Sequence, residues 1–268
     1  MAKRKRVLTE KKIDQFEKEG RGQGEKENYK PWFNIQDVSS HGLSTRVMGW
    51  KTNRIHHFLS KNETNFFYEC EWNLHVKDIR EQFPLHRIDT LEIAKEKGIK
   101  HPVDPHSKTP IVMTTDFLLT LEIDGQKKLV ARTVKPSSDL ENGRTLEKFE
   151  IEREYWERQG IDWGIYTELE TQKDFVNNVE WLHGAYYLHN DFQQSVYEAL
   201  LYQLKLSLQN YGKPIIKVLV DFENKFNLEN GLGVELFKHL ICRKKVEVNI
   251  SKRIQLHFNV EDIILSVD

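Results

Sequence analysis

The chain has 268 residues, enough for one large domain or two modest ones with a buried core. Lys+Arg 40 against Asp+Glu 41 leaves a formal charge of -1, so contact with nucleic acid has to come from local basic patches and not from whole-chain steering. No apolar run approaches the ~20 residues of a membrane-spanning helix, and MAKRKRVLTE has positive charge without the apolar stretch of a secretory signal. The expectation is a soluble, cytoplasmic protein with no membrane partner. Cys70 and Cys242 lie far apart in apolar settings, which suits reduced core thiols better than a disulfide or a zinc site.

Residues 1–30 are polar and glycine-punctuated and read as an N-terminal arm, with a short helix over Lys11 to Glu19 stopped at Gly20. The GRGQG stretch follows no strand and so is no dinucleotide loop; it lies along a phosphate backbone or is simply solvated. STRVMGWKTNRIHHFL predicts two small strands around a turn near Lys51 to Asn53. Ser60 stands three residues ahead of Glu63, the capping-box spacing, and NETNFFYECEW puts Glu63, Phe66, Phe67 and Cys70 on one helix face. Two readings of Glu63 stand: a first-turn cap favoured by the helix dipole, or a carboxylate turned into a site.

A short strand in VKDIREQFPL, a helix over Asp89 to Lys97 closed by Gly98, and a proline-rich loop HPVDPHSKTP come next. PIVMTTDFLLTLEIDG is the strongest strand, returned by DGQKKLVARTVKP through an Asp124-Gly125 hairpin turn. Lys135 ends the returning strand just before Pro136. A long helix from about Leu140 to Gln159 follows, with Leu146, Phe149, Ile151, Tyr155 and Trp156 as its apolar set, then a strand IDWGIYT. This order predicts an α/β domain over residues 31–170. Residues 171–268 read as three helices (DFQQSVYEALLYQLKLSLQN, PIIKVLVDFENKFN, LGVELFKHLICRK) and a hairpin of VEVNI and IQLHFNV, the order of a winged helix. Its edge of Lys244, Lys245, Lys252 and Arg253 suits phosphate contact and equally suits a guarded edge strand.

The chemistry-bearing set is Glu63, Asp116 and Lys135. Hydrolysis of a phosphodiester needs an activated water and a neutralised phosphate oxygen, which one or two Mg²⁺ ions held by carboxylates provide. Asp116 is the candidate anchor, Glu63 and the Thr133 carbonyl further metal ligands, and Lys135 the cation that orients water or counters developing charge. A strand aspartate facing a lysine across a hairpin is also an ordinary surface salt bridge of under ~1 kcal/mol. The apolar setting of LLTLEI and KLVARTV favours the site, since an inward aspartate there needs a reason.

Seven words in one order, EGRGQG (19–24), RIHHFLS (54–60), DIREQFPL (78–85), GIKHPV (98–103), MTTDFL (113–118), VKP (134–136) and RTLEKFEIEREYW (144–156), resemble the TnsA family, the endonuclease subunits of heteromeric cut-and-paste transposases. The resemblance covers most of the first 170 residues; the last third is similar in layout more than in words. It implies a restriction-endonuclease-like catalytic domain, a mixed sheet flanked by helices, ahead of the winged-helix-like domain. It also implies Mg²⁺ dependence with Mn²⁺ able to substitute, and cleavage of the 5′ strands at transposon ends. The implied partners are DNA, a TnsB-like transposase and a TnsC-like ATP-binding regulator, with association to the nucleoid when active. Glu63, Asp116 and Lys135 match the family's active-site positions. Where the family pattern has glutamine this chain has Thr133, which is harmless if the ligand there is the backbone carbonyl. Glu152 sits near a further acidic position of the family, although by spacing alone it reads as part of a solvated helix face. An adaptor that links regulator to transposase, and a stand-alone restriction-type nuclease, are the alternative functions.

Overall fold

The computed structural model describes residues 7–37, 44–187, 193–209 and 212–268. The chain divides into two units, Met1–Thr171 and Gln172–Asp268. In the first, helix α1 (Glu10–Lys18) starts on the Thr9 hydroxyl, which accepts from the Lys12 amide. Its Ile13 and Phe16 are buried against Trp32 and Val112, with the Phe16 and Trp32 rings edge to face at 5.4 Å. The arm expected over residues 1–30 is therefore packed from α1 onward: two apolar residues at helical spacing anchor an otherwise charged segment. The basic start, residues 1–6, lies outside the described residues.

Strands β1 (Thr45–Met48) and β2 (Ile55–Phe58) form a small antiparallel pair. Ser60 caps helix α2 (Lys61–Trp72), whose Phe66, Phe67 and Cys70 are buried. Strand β3 (Val76–Pro84) and helix α3 (Arg87–Glu96) follow. Strands β4 (Thr114–Ile123) and β5 (Gln126–Val134) then make the expected hairpin. Asp124 and Gly125 at its turn have φ of 51° and 76°, which asparagine, aspartate and glycine tolerate best. Helix α4 (Gly143–Arg158) carries the chain over to strand β6 (Asp162–Tyr166), which pairs parallel with β5.

The four-stranded sheet runs β3-β4-β5-β6, antiparallel except for its last pair. Residues 115–119 of β4 are all buried, as befits a strand covered on both faces. Toward α2, Phe117 meets Phe66 at 5.0 Å and Phe58 at 5.9 Å between ring centroids. Toward α3 and α4, Leu118 and Ala131 pack with Ile93, Ile151, Tyr155 and Trp156.

The second unit holds helices α5 (Lys173–His183), α6 (Gln194–Ser207), α7 (Ile215–Phe226) and α8 (Leu232–Cys242), strand β7 (Val246–Val248), the short helix α9 (Val260–Ile263) and strand β8 (Ile264–Val267). Residues 191, 192 and 210, at the ends of the segment expected to form its first helix, lie outside the described residues. The hairpin that suggested a winged helix takes another form: β7 pairs with β8, and IQLHFNV is not a strand. Its backbone is committed elsewhere. The Leu256 and Phe258 carbonyls accept from the first amides of α7, Ile216 at 2.7 Å and Ile215 at 2.9 Å. Asn178 of α5 meanwhile donates to the Ile250 and Lys252 carbonyls and accepts from the Ile254 amide.

Candidate active site

The site lies where β4 and β5 part. The two strands pair from the turn up to Phe117 opposite Arg132. One residue further out the Asp116 side chain stands in for the ladder: its Oδ2 accepts from the Val134 amide at 2.8 Å and from Lys135 Nζ at 3.0 Å. Asp116 is buried while a third of the Lys135 side chain stays open to solvent. Burial alone would lower the lysine pKa, but the charges of Asp116, Glu63 and Glu152 outweigh it and hold the ammonium above the usual lysine range.

Glu63 is buried on the first turn of α2. Its carboxylate accepts from the Leu59 amide at 3.0 Å and the Ser60 hydroxyl at 2.9 Å, while Ser60 Oγ accepts from the Glu63 amide at 3.2 Å. Burial pushes its pKa up to about 7, the negative charge of Asp116 adding and Lys135 opposing. Glu63 caps its helix, the first of the two sequence readings, and lies within the field of Asp116 and Lys135.

Thr133 donates its hydroxyl to Glu152 Oε1 at 2.5 Å and accepts from Trp163 Nε1 at 3.3 Å. Its side chain is thus committed to Glu152, not turned to Asp116. Glu152 corrects the sequence expectation of a solvated helix face. It is 3% exposed, whereas Leu146, expected in the apolar set, is 46% exposed. The inward side of α4 meets hydroxyls at this level: Thr115 donates to Glu152 Oε1 at 2.6 Å and itself accepts from Trp156 Nε1 at 2.7 Å. Burial pushes the Glu152 carboxyl up to about 7, against the pull of the two threonine hydroxyls.

Two contributors had no signal in the sequence pattern. Thr115 reads as an ordinary strand residue, and Gln82, whose Nε2 donates to Asp116 Oδ1 at 3.3 Å, reads as a strand end. Asp116, Thr133, Lys135 and Glu152 line a pocket of about 240 Å³ together with Phe33, Val112, Met113 and Lys148.

Among the described residues no group of three or more His, Cys, Asp or Glu side chains is spaced to close around a metal ion. The donor chemistry nevertheless suits a hard divalent cation. The charges of Asp116, Glu63 and Glu152 all reach Lys135, and ions of the Mg²⁺ type are commonly held by one or two carboxylates, with water and substrate phosphate completing the shell.

The comparisons with known proteins point the same way. Residues 73–168 match the family described as TnsA-like endonuclease N terminal, and residues 170–250 match TnsA endonuclease C terminal. The Transposon Tn7 transposition protein TnsA of Escherichia coli is 40% identical over 253 residues, covering 94% of this chain and 90% of that protein. With both parts of the family matched in order, and a relative this similar over nearly its whole length, the chain belongs to the TnsA family of transposition endonucleases.

Proposed function

We propose that this endodeoxyribonuclease cuts the 5′, non-transferred strands at transposon ends in a reaction that needs a divalent cation, Mg²⁺ with Mn²⁺ able to substitute. It acts beside a TnsB-like transposase and a TnsC-like ATP-binding regulator. The observation that carries the reading is the buried Asp116 carboxylate paired with Lys135 in a pocket at the parting of two strands. Asp116 and Glu63 would hold the cation, with the Thr133 carbonyl as a further oxygen ligand. When bound, that ion supplies Lewis acidity and water of lowered pKa.

The side chains account for the rest. The Val134 amide and Lys135 fix Asp116. Lys135, charged at neutral pH, stands where it can orient a water or meet the charge that develops on phosphate. Glu152, pushed up to about 7, can hold or give up a proton near neutrality.

The test is strand mapping in the reconstituted complex with Mg²⁺. Asp116→Asn and Lys135→Ala are each expected to remove the 5′-strand break, a loss of at least about 100-fold given the size of such electrostatic contributions, while folding and 3′-strand breaks persist. Undiminished 5′ cleavage by both variants would refute the assignment.

A further inference from the structure

The Asp116 carboxylate is aimed by a residue that lies outside the Glu63, Asp116 and Lys135 set. We infer that Gln82 is a positioning residue for Asp116, its amide fixing Oδ1 while Lys135 and the Val134 amide fix Oδ2. The inference rests on the endonuclease reading above.

The register shows the irregularity first. Glu81 pairs with Phe117 and Phe83 with Thr115, but between them Gln82 and Asp116 do not pair. Gln82 has φ of 48°, a left-handed conformation inside a strand, and is 3% exposed. For a side chain with a Cβ such a conformation is unfavourable and persists only where its surroundings enforce it. Here its side chain meets the carboxylate across the missing pair, Nε2 donating to Asp116 Oδ1 at 3.3 Å. The orientation of the amide follows from chemistry: an ionised carboxylate can only accept, so the NH₂ group faces Asp116, and Gln82 Oε1 accepts the Thr114 hydroxyl at 3.3 Å. The Gln82 contact occupies one of the two lone-pair directions of Oδ1 and leaves the other for a ligand.

The segment packed on this strained backbone runs from the glycine-rich turn at Gly22 to Trp32. The Gln82 carbonyl accepts from the Trp32 amide at 3.1 Å. On one side of it the Tyr29 hydroxyl donates to the Glu81 carbonyl at 3.1 Å. On the other, Gly22 lies against Pro84: a Cβ there would fall 2.2 Å from Pro84 Cγ, and Gly22 itself has φ of 79°. Residues 22–32 thus run along β3 from Glu81 to Pro84, Gly22 by close approach and Tyr29 and Trp32 by hydrogen bonds. A merely structural position would favour glycine for its φ, or an apolar side chain for its burial. The amide is what Asp116 requires.

Gln82→Gly separates the two roles, because it relieves the backbone and removes the amide. Gln82→Asn tolerates the same φ but falls one methylene short. Three quantities are read on the full chain: the melting temperature, Mn²⁺ affinity without DNA by paramagnetic resonance, and the Mg²⁺ concentration for half-maximal 5′ cleavage in the reconstituted complex. The expected result is melting within a few degrees of wild type, with Mn²⁺ affinity lowered and the half-maximal Mg²⁺ concentration raised about tenfold, the usual scale for losing a group that orients a metal ligand. Wild-type values of both metal readouts in Gln82→Gly would overturn the inference. Should Gln82→Gly fail to fold, Gln82→Asn decides by the same criterion. A wild-type chain that cuts no strand in the complex would count against the endonuclease reading, and the Mn²⁺ affinities would still decide the role of Gln82.

Discussion

Glu152→Gln gives the sharpest quantitative test of the buried carboxylates. Burial pushes the Glu152 pKa up to about 7 from the 4.5 of an ordinary glutamate. A group raised in this way stabilises the fold most below its unfolded pKa, and that stability is lost as pH rises through the folded value. Between pH 5 and pH 8 a shift from 4.5 to about 7 costs the wild type about 2–3 kcal/mol. The glutamine variant keeps an oxygen to accept from Thr115 and Thr133 but carries no charge. Its new N–H groups, if left without acceptors, cost roughly 1–3 kcal/mol at every pH and so cancel in the comparison.

The assay is thermal unfolding in chelator at pH 5 and pH 8, following the transition of the first unit. For a domain of this size 1 kcal/mol moves the midpoint by about 2–4 °C. The variant should therefore gain about 5–10 °C on the wild type between pH 5 and pH 8. A variant-minus-wild-type difference that stays the same at both pH values would refute the buried, proton-holding description of Glu152.

Two further tests address the frame of the site. Glu81 accepts from Arg54 Nη1 at 2.8 Å and from His56 Nδ1 at 2.8 Å with no exposure to solvent. Burial would raise its pKa, but His56 and Arg54 prevail and hold it well below the usual carboxylate range. Glu81→Leu should cost about 3–5 kcal/mol in urea unfolding at pH 7. It should also flatten the loss of stability as pH falls below about 4.5, because a depressed pKa stabilises above the unfolded value and is lost in acid; a parallel acid limb would refute this. Phe117 is fully buried between Phe58 and Phe66, so Phe117→Ala should lose about 3–5 kcal/mol of stability in the same assay, and a loss under 1 kcal/mol would contradict the packing described.

Much of the catalytic unit was legible because local rules and global fold agree. The Asp124-Gly125 turn, the Ser60 cap and the apolar β4 each point to one structure, and the hairpin then brings Asp116 to Lys135. Gln82 was not legible, since a left-handed φ beneath the distant segment from Gly22 to Trp32 leaves no mark on polarity or spacing. Glu152 was misread because a helix face is judged by polarity, and here the partners waiting inside are threonine hydroxyls. Helix α5 went unanticipated since its buried stripe is broken by Asn178 and His183. The strand expected at IQLHFNV failed for a related reason: alternation shows which side chains can be buried, not which backbone groups are already bonded to α7 and Asn178.

The reciprocal cap at Ser60 and Glu63 makes the start of α2 a built-in gauge of occupancy. Each Glu63 carboxylate oxygen accepts one hydrogen bond, from Leu59 and from Ser60, and has one lone pair left for a cation. With Glu63 as the proposed metal ligand, a bound ion and the first turn of α2 draw on one side chain, and each loosens the other's hold on it. The amide protons of Leu59 and Glu63 should exchange with solvent faster when the pocket is filled, so local opening at a helix end, far easier to follow than a strand break, would count the loaded molecules directly.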